Sequence, residues 1–186
     1  MPRVGLDLNR IIKTAIEIAD NEGIEAVTLA TLARRLSVKS PSLFNHINGL
    51  SSLKREMSLY GLNLLFDKLK CAKQDKQSND AMVAIANAYI EFTREHPGLY
   101  ELTIKAPEEN DQEIEEISNG IIKLIIDVLG DFQLDEEAII HTIRGFRSIL
   151  HGFASLEQKG AFGMPISTEE SFHFIIKSFL ATLKSK

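Results

Sequence analysis

Residues 31–53, TLARRLSVKSPSLFNHINGLSSL, interrupt a helical pattern twice within one short span. The run ending at Leu36 breaks at Ser37-Val38, a new run opens beside Pro41, and Asn48-Gly49 stops it after about two turns. Two short helices joined by a tight turn, packed on a preceding amphipathic helix, form a helix-turn-helix. The second helix can be short, because only its first turns have to enter the major groove of DNA. The pattern alone leaves open an ordinary corner in a helical bundle.

The brace such a motif needs is present. In residues 6–22, Leu8, Ile11, Ile12, Ala15, Ile16, Ile18 and Ala19 recur at helical spacing, and Gly23 ends the run. Thr28 is expected to cap LATLARRL, which puts Leu29, Leu32, Ala33 and Leu36 on one face. Ser40 offers a cap oxygen to the next helix, and Pro41 suits its first turn, where the missing N–H costs nothing. Val38, Leu43 and Ile47 are then expected to face inward, and Lys39, Ser40, Ser42, Asn45 and His46 outward. A long helix capped by Ser51 or Ser52 follows, to about residue 71, and polar KQDKQSND reads as a linker.

Beyond the linker every segment has helical spacing. DAMVAIANAYIEFTREH stops at Pro97, PGLYELTIKA near Pro107 and EIEEISNGIIKLIIDVLG at Gly130. DEEAIIHTIRGFRSILHGFASLEQKG opens with acids, where the helix dipole favours them, and STEESFHFIIKSFLATLK opens with a Ser/Thr cap and ends basic. No alternating strand pattern stands out. The expectation is an all-α chain of about nine helices, with residues 1–56 as a three-helix DNA-binding domain and 57–186 as a second helical domain.

Composition narrows the class. The chain is 44% hydrophobic and 25% charged, as in a soluble globular protein. A single cysteine, Cys71, cannot form an internal disulfide, which fits a reducing compartment and an expected cytoplasmic location. Asp7, Arg10 and Lys13 interrupt any N-terminal signal sequence, and IIKLIIDVLG is too short and too charged to span a bilayer, so no membrane role is expected. The net charge of −5 is uneven: residues 1–56 hold eight basic and six acidic residues, net +2, and the remainder 13 and 20, net −7. An acidic protein still binds nucleic acid when its basic groups gather on one module.

Catalytic and metal motifs are missing. His46, His96, His141, His151 and His173 form no HExxH and no Cys/His cluster. No Gly-rich phosphate loop and no G-x-S-x-G elbow occurs, and His141 with Glu137 reads as a surface i,i+4 pair. Neither an enzyme nor a cofactor or metal site is expected.

From Ile11 to about Leu53 the chain resembles the N-terminal domain of TetR/AcrR-family transcriptional regulators. The resemblance rests on Ile12, Ala15, Ile18, Gly23, Val27-Thr28, Leu32-Ala33, Val38, Ser42-Leu43-Phe44, His46-Ile47 and Leu53. REHPGLYELTI is similar to a segment of the family's ligand domains, and RGFRSILHGFASLE resembles a WHG-type C-terminal domain. The resemblance implies a regulator, most often a repressor, that binds palindromic operator DNA as a homodimer and leaves it when a small molecule binds. It implies DNA-facing roles for Thr28, Lys39, Ser40, Pro41, Ser42, Phe44, Asn45, His46 and Lys54. Lys39, Ser42 and Asn45 can offer hydrogen bonds to base edges, and Thr28, His46 and Lys54 can hold phosphates. Ser37 stands where many members have a turn glycine, Phe44 where a tyrosine is usual and Leu50 where many carry lysine. The last implies fewer backbone contacts and a smaller salt dependence.

Two further sets follow. Gly145, Ser148, Gly152 and Ser155 make a stripe of small residues that lets another helix approach closely, with Phe172, Ile175, Ile176 and Phe179 expected to flank it in a dimer contact. Close packing inside one chain explains the stripe equally well. Tyr89, Phe92, His96, Tyr100, Phe146 and Leu150 could line an effector cavity, or simply form core. An activator or effector-independent regulator, and a helical protein-interaction module without DNA binding, stay open as alternatives.

Overall fold

Asp7 opens the first helix in the computed structural model, which describes residues 6–104 and 111–183. Its extended backbone and its carboxylate, which accepts from Arg10 N–H at 2.8 Å, cap α1, Leu8–Glu22. Ile11, Ile12, Ala15, Ile16, Ile18 and Ala19 are buried at the expected spacing. Gly23, at φ 88°, ends the helix in a conformation open to glycine. After a single 3-10 turn, Ile24–Ala26, Thr28 caps α2, Leu29–Leu36, by accepting from Thr31 N–H at 3.1 Å.

Ser37 closes α2 in the left-handed region, at φ 55° and ψ 40°. Ser37 N–H donates to Arg34 O and Val38 N–H to Ala33 O, the paired bonds of a Schellman close. That geometry normally takes glycine, because a Cβ costs about 1–2 kcal/mol there. Ser37→Gly is therefore expected to stabilise the chain by about 1 kcal/mol, raising the melting temperature by roughly 2–4 °C at this length. An unchanged or lower melting temperature would show that Ser37 adopts this turn without strain.

The next element differs from the expected α-helix. Ser40–Asn45 is a 3-10 helix, with Ser42 N–H donating to Lys39 O and His46 N–H to Leu43 O. Lys39, not Ser40, precedes it, and no side chain caps it. Pro41 in the first turn has no N–H to give, and six residues are too few for a regular α-helical ladder. The following helix, α3, Leu50–Lys73, starts directly after Gly49 at φ 95°, ahead of the expected serine caps.

The remaining helices are α4 Ser78–Glu95, α5 Pro97–Thr103, α6 Gln112–Leu129, α7 Glu136–Gln158 and α8 Thr168–Leu180. Asp135 and Ser167 cap α7 and α8. Eight α-helices and two 3-10 helices, with no strand, make up the described residues, so the fold is all-α.

The chain divides into two compact units, and the division differs from the expected break at residue 56. One unit is Met1–Asn63 with Glu95–Ile114; the other is Leu64–Arg94 with Glu115–Lys186. The reason lies in how α5 is bound to α1. Asp20 Oδ1 accepts from Gly98 N–H at 3.0 Å and Leu99 N–H at 2.9 Å, and Asp20 Oδ2 lies 2.9 Å from His96 Nδ1. A residue of α1 thus caps a helix far away in sequence. Ser58 Oγ donates to Leu102 O at 2.9 Å. Arg55 grips Asp111 with two nitrogens, at 2.8 and 2.7 Å, and also reaches Glu113 and Glu56. These hydrogen bonds hold the Asp111 carboxyl below the usual carboxylate range and raise the Arg55 guanidinium.

The second unit is built on aromatic and aliphatic packing. Phe153 and Phe172 sit with ring centres 4.9 Å apart, and Phe92 and Phe132 are almost wholly buried. Arg94 of α4 forks onto Glu157 at 2.8 Å and reaches Glu169 at 3.1 Å, joining the end of α7 to the start of α8.

Candidate nucleic-acid interface

The first unit presents a short polar surface on a rigid base. Leu43 is 0% exposed and Ile47 3%, which anchors Ser40–Asn45 in the unit's buried core, where it packs against α2. Val38 is half-buried. Around these anchors Lys39, Pro41, Phe44, Asn45 and His46 are exposed, and Ser40, Ser42 and Lys54 half-buried. Thr28 is exposed too, but its hydroxyl caps α2 and donates to Thr31 Oγ1 at 3.0 Å. A phosphate contact would require that hydroxyl to turn away from Thr31. Arg34 and Arg35 add basic groups to the last turn of α2, where Arg35 pairs with Glu22. The arrangement presents cations, amide and hydroxyl groups on one compact motif, the chemistry that phosphates and base edges accept.

The six expected cavity residues divide between the units. Tyr89, Phe92, Phe146 and Leu150 are buried in the second unit. His96 and Tyr100 belong to the first, where His96 meets Asp20 and Tyr100 is 2% exposed. The cause is Pro97-Gly98, which starts α5 at that point and lets it lie against α1.

The expected dimer residues also separate. A Cβ built on Gly152 meets nothing within 4 Å, and Ser148 is exposed, so this part of the stripe faces open space. A Cβ built on Gly145 would instead lie 3.4 Å from the Phe179 ring of α8. Phe172 and Ile176, each 1% exposed, fill the unit's own core and cannot flank a contact with a second copy. Ile175 and its neighbour Phe174, 72% exposed, point outward. Helical spacing alone could not separate these two faces of α8, because both carry apolar residues. Asp20 was equally invisible in the sequence, since its partners lie on another helix.

A family model, the Tetracyclin repressor-like C-terminal domain, matches residues 82–179. An HTH-type transcriptional regulator of Bacillus subtilis (strain 168), YobS, itself uncharacterized, is 39% identical over 183 residues, spanning 98% of this chain and 95% of the relative. The chain is a TetR-family transcriptional regulator. A second relative, the uncharacterized HTH-type transcriptional regulator Rv0681 of Mycobacterium tuberculosis, is 31% identical over 83% of this chain and 72% of its own length. The fold matches the TetR-family regulator PfmR of Thermus thermophilus with a TM-score of 0.70 at 18% identity, over 95% of this chain and 97% of that one. The TetR assignment makes the protein an HTH-type transcriptional regulator rather than an enzyme. Among the described residues no helix is long and apolar enough to cross a membrane.

Proposed function

We propose that this TetR-family regulator represses transcription by binding a palindromic operator as a homodimer, and that a small-molecule effector releases it. The observation that carries the reading is the exposed set on residues 39–46, held over buried Leu43 and Ile47. Lys39, Ser42 and Asn45 are assigned to base edges, and Thr28, His46 and Lys54 to phosphates, with Ser40, Pro41 and Phe44 completing the surface. DNA reading falls to residues 1–56, and effector binding and dimerisation to 57–186, in the cytoplasm. The buried Tyr89, Phe92, Phe146 and Leu150 are the effector-lining candidates that remain together in one unit. An effector releases DNA only if it binds the two conformations with different affinity.

Lys39→Ala and Asn45→Ala test the assignment. Each side chain is exposed, so melting should stay nearly unchanged. Loss of a base-reading contact costs roughly 1–3 kcal/mol, about a 5- to 150-fold weaker operator complex. Operator titration by fluorescence anisotropy measures this, and unchanged affinity in both variants would sink the placement. The same titration with screened ligands examines release: ligands that raise the melting temperature but never alter operator affinity would remove the effector from this reading.

A further inference from the structure

We infer that Phe44 reads a thymine, by packing its phenyl ring on the 5-methyl group in the operator's major groove. The inference rests on the DNA-binding role of residues 39–46 proposed above and assigns that surface a specificity.

Side chains three positions apart eclipse one another in a 3-10 helix, so Ser40–Asn45 has three edges. Leu43, at 0% exposure, turns its edge to the core, and half-buried Ser40 on that edge sits at the rim of the surface. Ser42 and Asn45 share a polar edge. Pro41 and Phe44 share an exposed apolar edge, and Phe44 is 56% exposed. The backbone bonds from Ser42 to Lys39 O and from His46 to Leu43 O fix this register.

An apolar edge on a surface that meets DNA needs an apolar partner there. A phenyl ring has no hydrogen to donate to a phosphate, and lying beside one would only strip the anion of water. On the base edges of the major groove the apolar group is the thymine 5-methyl, and phenylalanine is among the side chains suited to it. The adjoining polar edge supports the same base step, because the Asn45 amide can bond adenine N6 and N7 in bidentate fashion. The half-site is therefore expected to carry a thymine within one base step of the adenine that Asn45 reads.

The experiment uses the full-length protein. Operators are first selected from random duplex DNA. Each thymine of the enriched site is then replaced singly by deoxyuridine, which removes the methyl and leaves every hydrogen-bonding group in place. In each half-site, one replacement should weaken the wild-type complex about four-fold, equivalent to about 0.8 kcal/mol for one buried methyl-sized group. Phe44→Ala should bind the thymine and uracil operators equally, with its melting temperature unchanged, while Phe44→Tyr, which keeps the ring, should retain the preference. An enriched operator whose thymines can all be replaced without effect on the wild type would overturn the inference. So would a Phe44→Ala variant that keeps the full methyl preference. Selection that enriches no sequence at all would overturn the DNA-reading assignment itself, and this inference with it.

Discussion

Gly98→Ala destabilises the first unit by roughly 3 kcal/mol or more, the upper part of the range for overpacking a tight contact. A Cβ at this position would lie 2.0 Å from Ala19 O and 2.2 Å from Ala19 C, with Asp20 N at 2.9 Å. All three are backbone atoms of α1, so no side chain can rotate away. To make room, α5 must lift from α1, and that movement breaks the bonds from Gly98 and Leu99 N–H to Asp20. Both amides would lose their carboxylate cap, and Asp20 would face His96 alone. The same unit carries residues 39–46, so operator binding should be lost at the temperature where the variant unfolds. Thermal and urea denaturation measure the effect. A melting temperature equal to that of the parent would show that the α1–α5 contact relaxes freely and does not hold the unit together.

Gly152→Leu produces the second large effect, on assembly rather than folding. The Cβ position is open within the chain, so the monomer should fold and melt as before. If the open stripe on α7 is where two copies meet, with Ile175 and Phe174 projecting from α8, leucine forces the facing helices apart. One short recognition element reads only a few base pairs, and specific affinity needs two copies spaced about one helical turn, roughly 34 Å, apart. The variant should sediment as a monomer at micromolar concentration. Its operator affinity should fall about 1,000-fold, toward the non-specific level. A variant that remains a dimer with native operator affinity would refute this interface. A wild type that is monomeric under the same conditions would refute the dimeric architecture.

The spans of α1 and α2, the stop at Gly23 and the cap at Thr28 could be read directly along the chain, whereas the cap expected from Ser40 is not made. Asp7, Gly23, Thr28 and Ser37 act on backbone groups within a few residues of themselves, so their consequences are written locally. The exposed polar set of the short motif was legible for the same reason: periodicity separates Leu43 and Ile47 from Lys39 and Asn45 without reference to any other part of the molecule, whereas the choice of a helix-turn-helix over an ordinary helical corner came from the family resemblance. The change from α to 3-10 geometry at Ser40–Asn45 was less visible, because Pro41 at a helix start suits both forms.

Tertiary structure decided what depends on distant partners. Asp20 is one more polar residue of an amphipathic helix until α5 arrives, 78 positions along the chain, and presents Gly98 N–H to it. Gly98 looks like an ordinary residue after a proline until its backbone is seen against Ala19. Those contacts place Glu95–Ile114, His96 included, in the first unit. On α8, helical spacing offered Phe172, Ile175, Ile176 and Phe179 as one apolar set, and only packing against Phe153 separated buried Phe172 from outward Ile175. The sequence alone determined the local helices, the ends of α1 and α2 and the polar surface of the short motif, because those follow from interactions a few residues long. Which apolar faces stay covered and where one unit ends were settled by contacts between helices, whose partners no local pattern names.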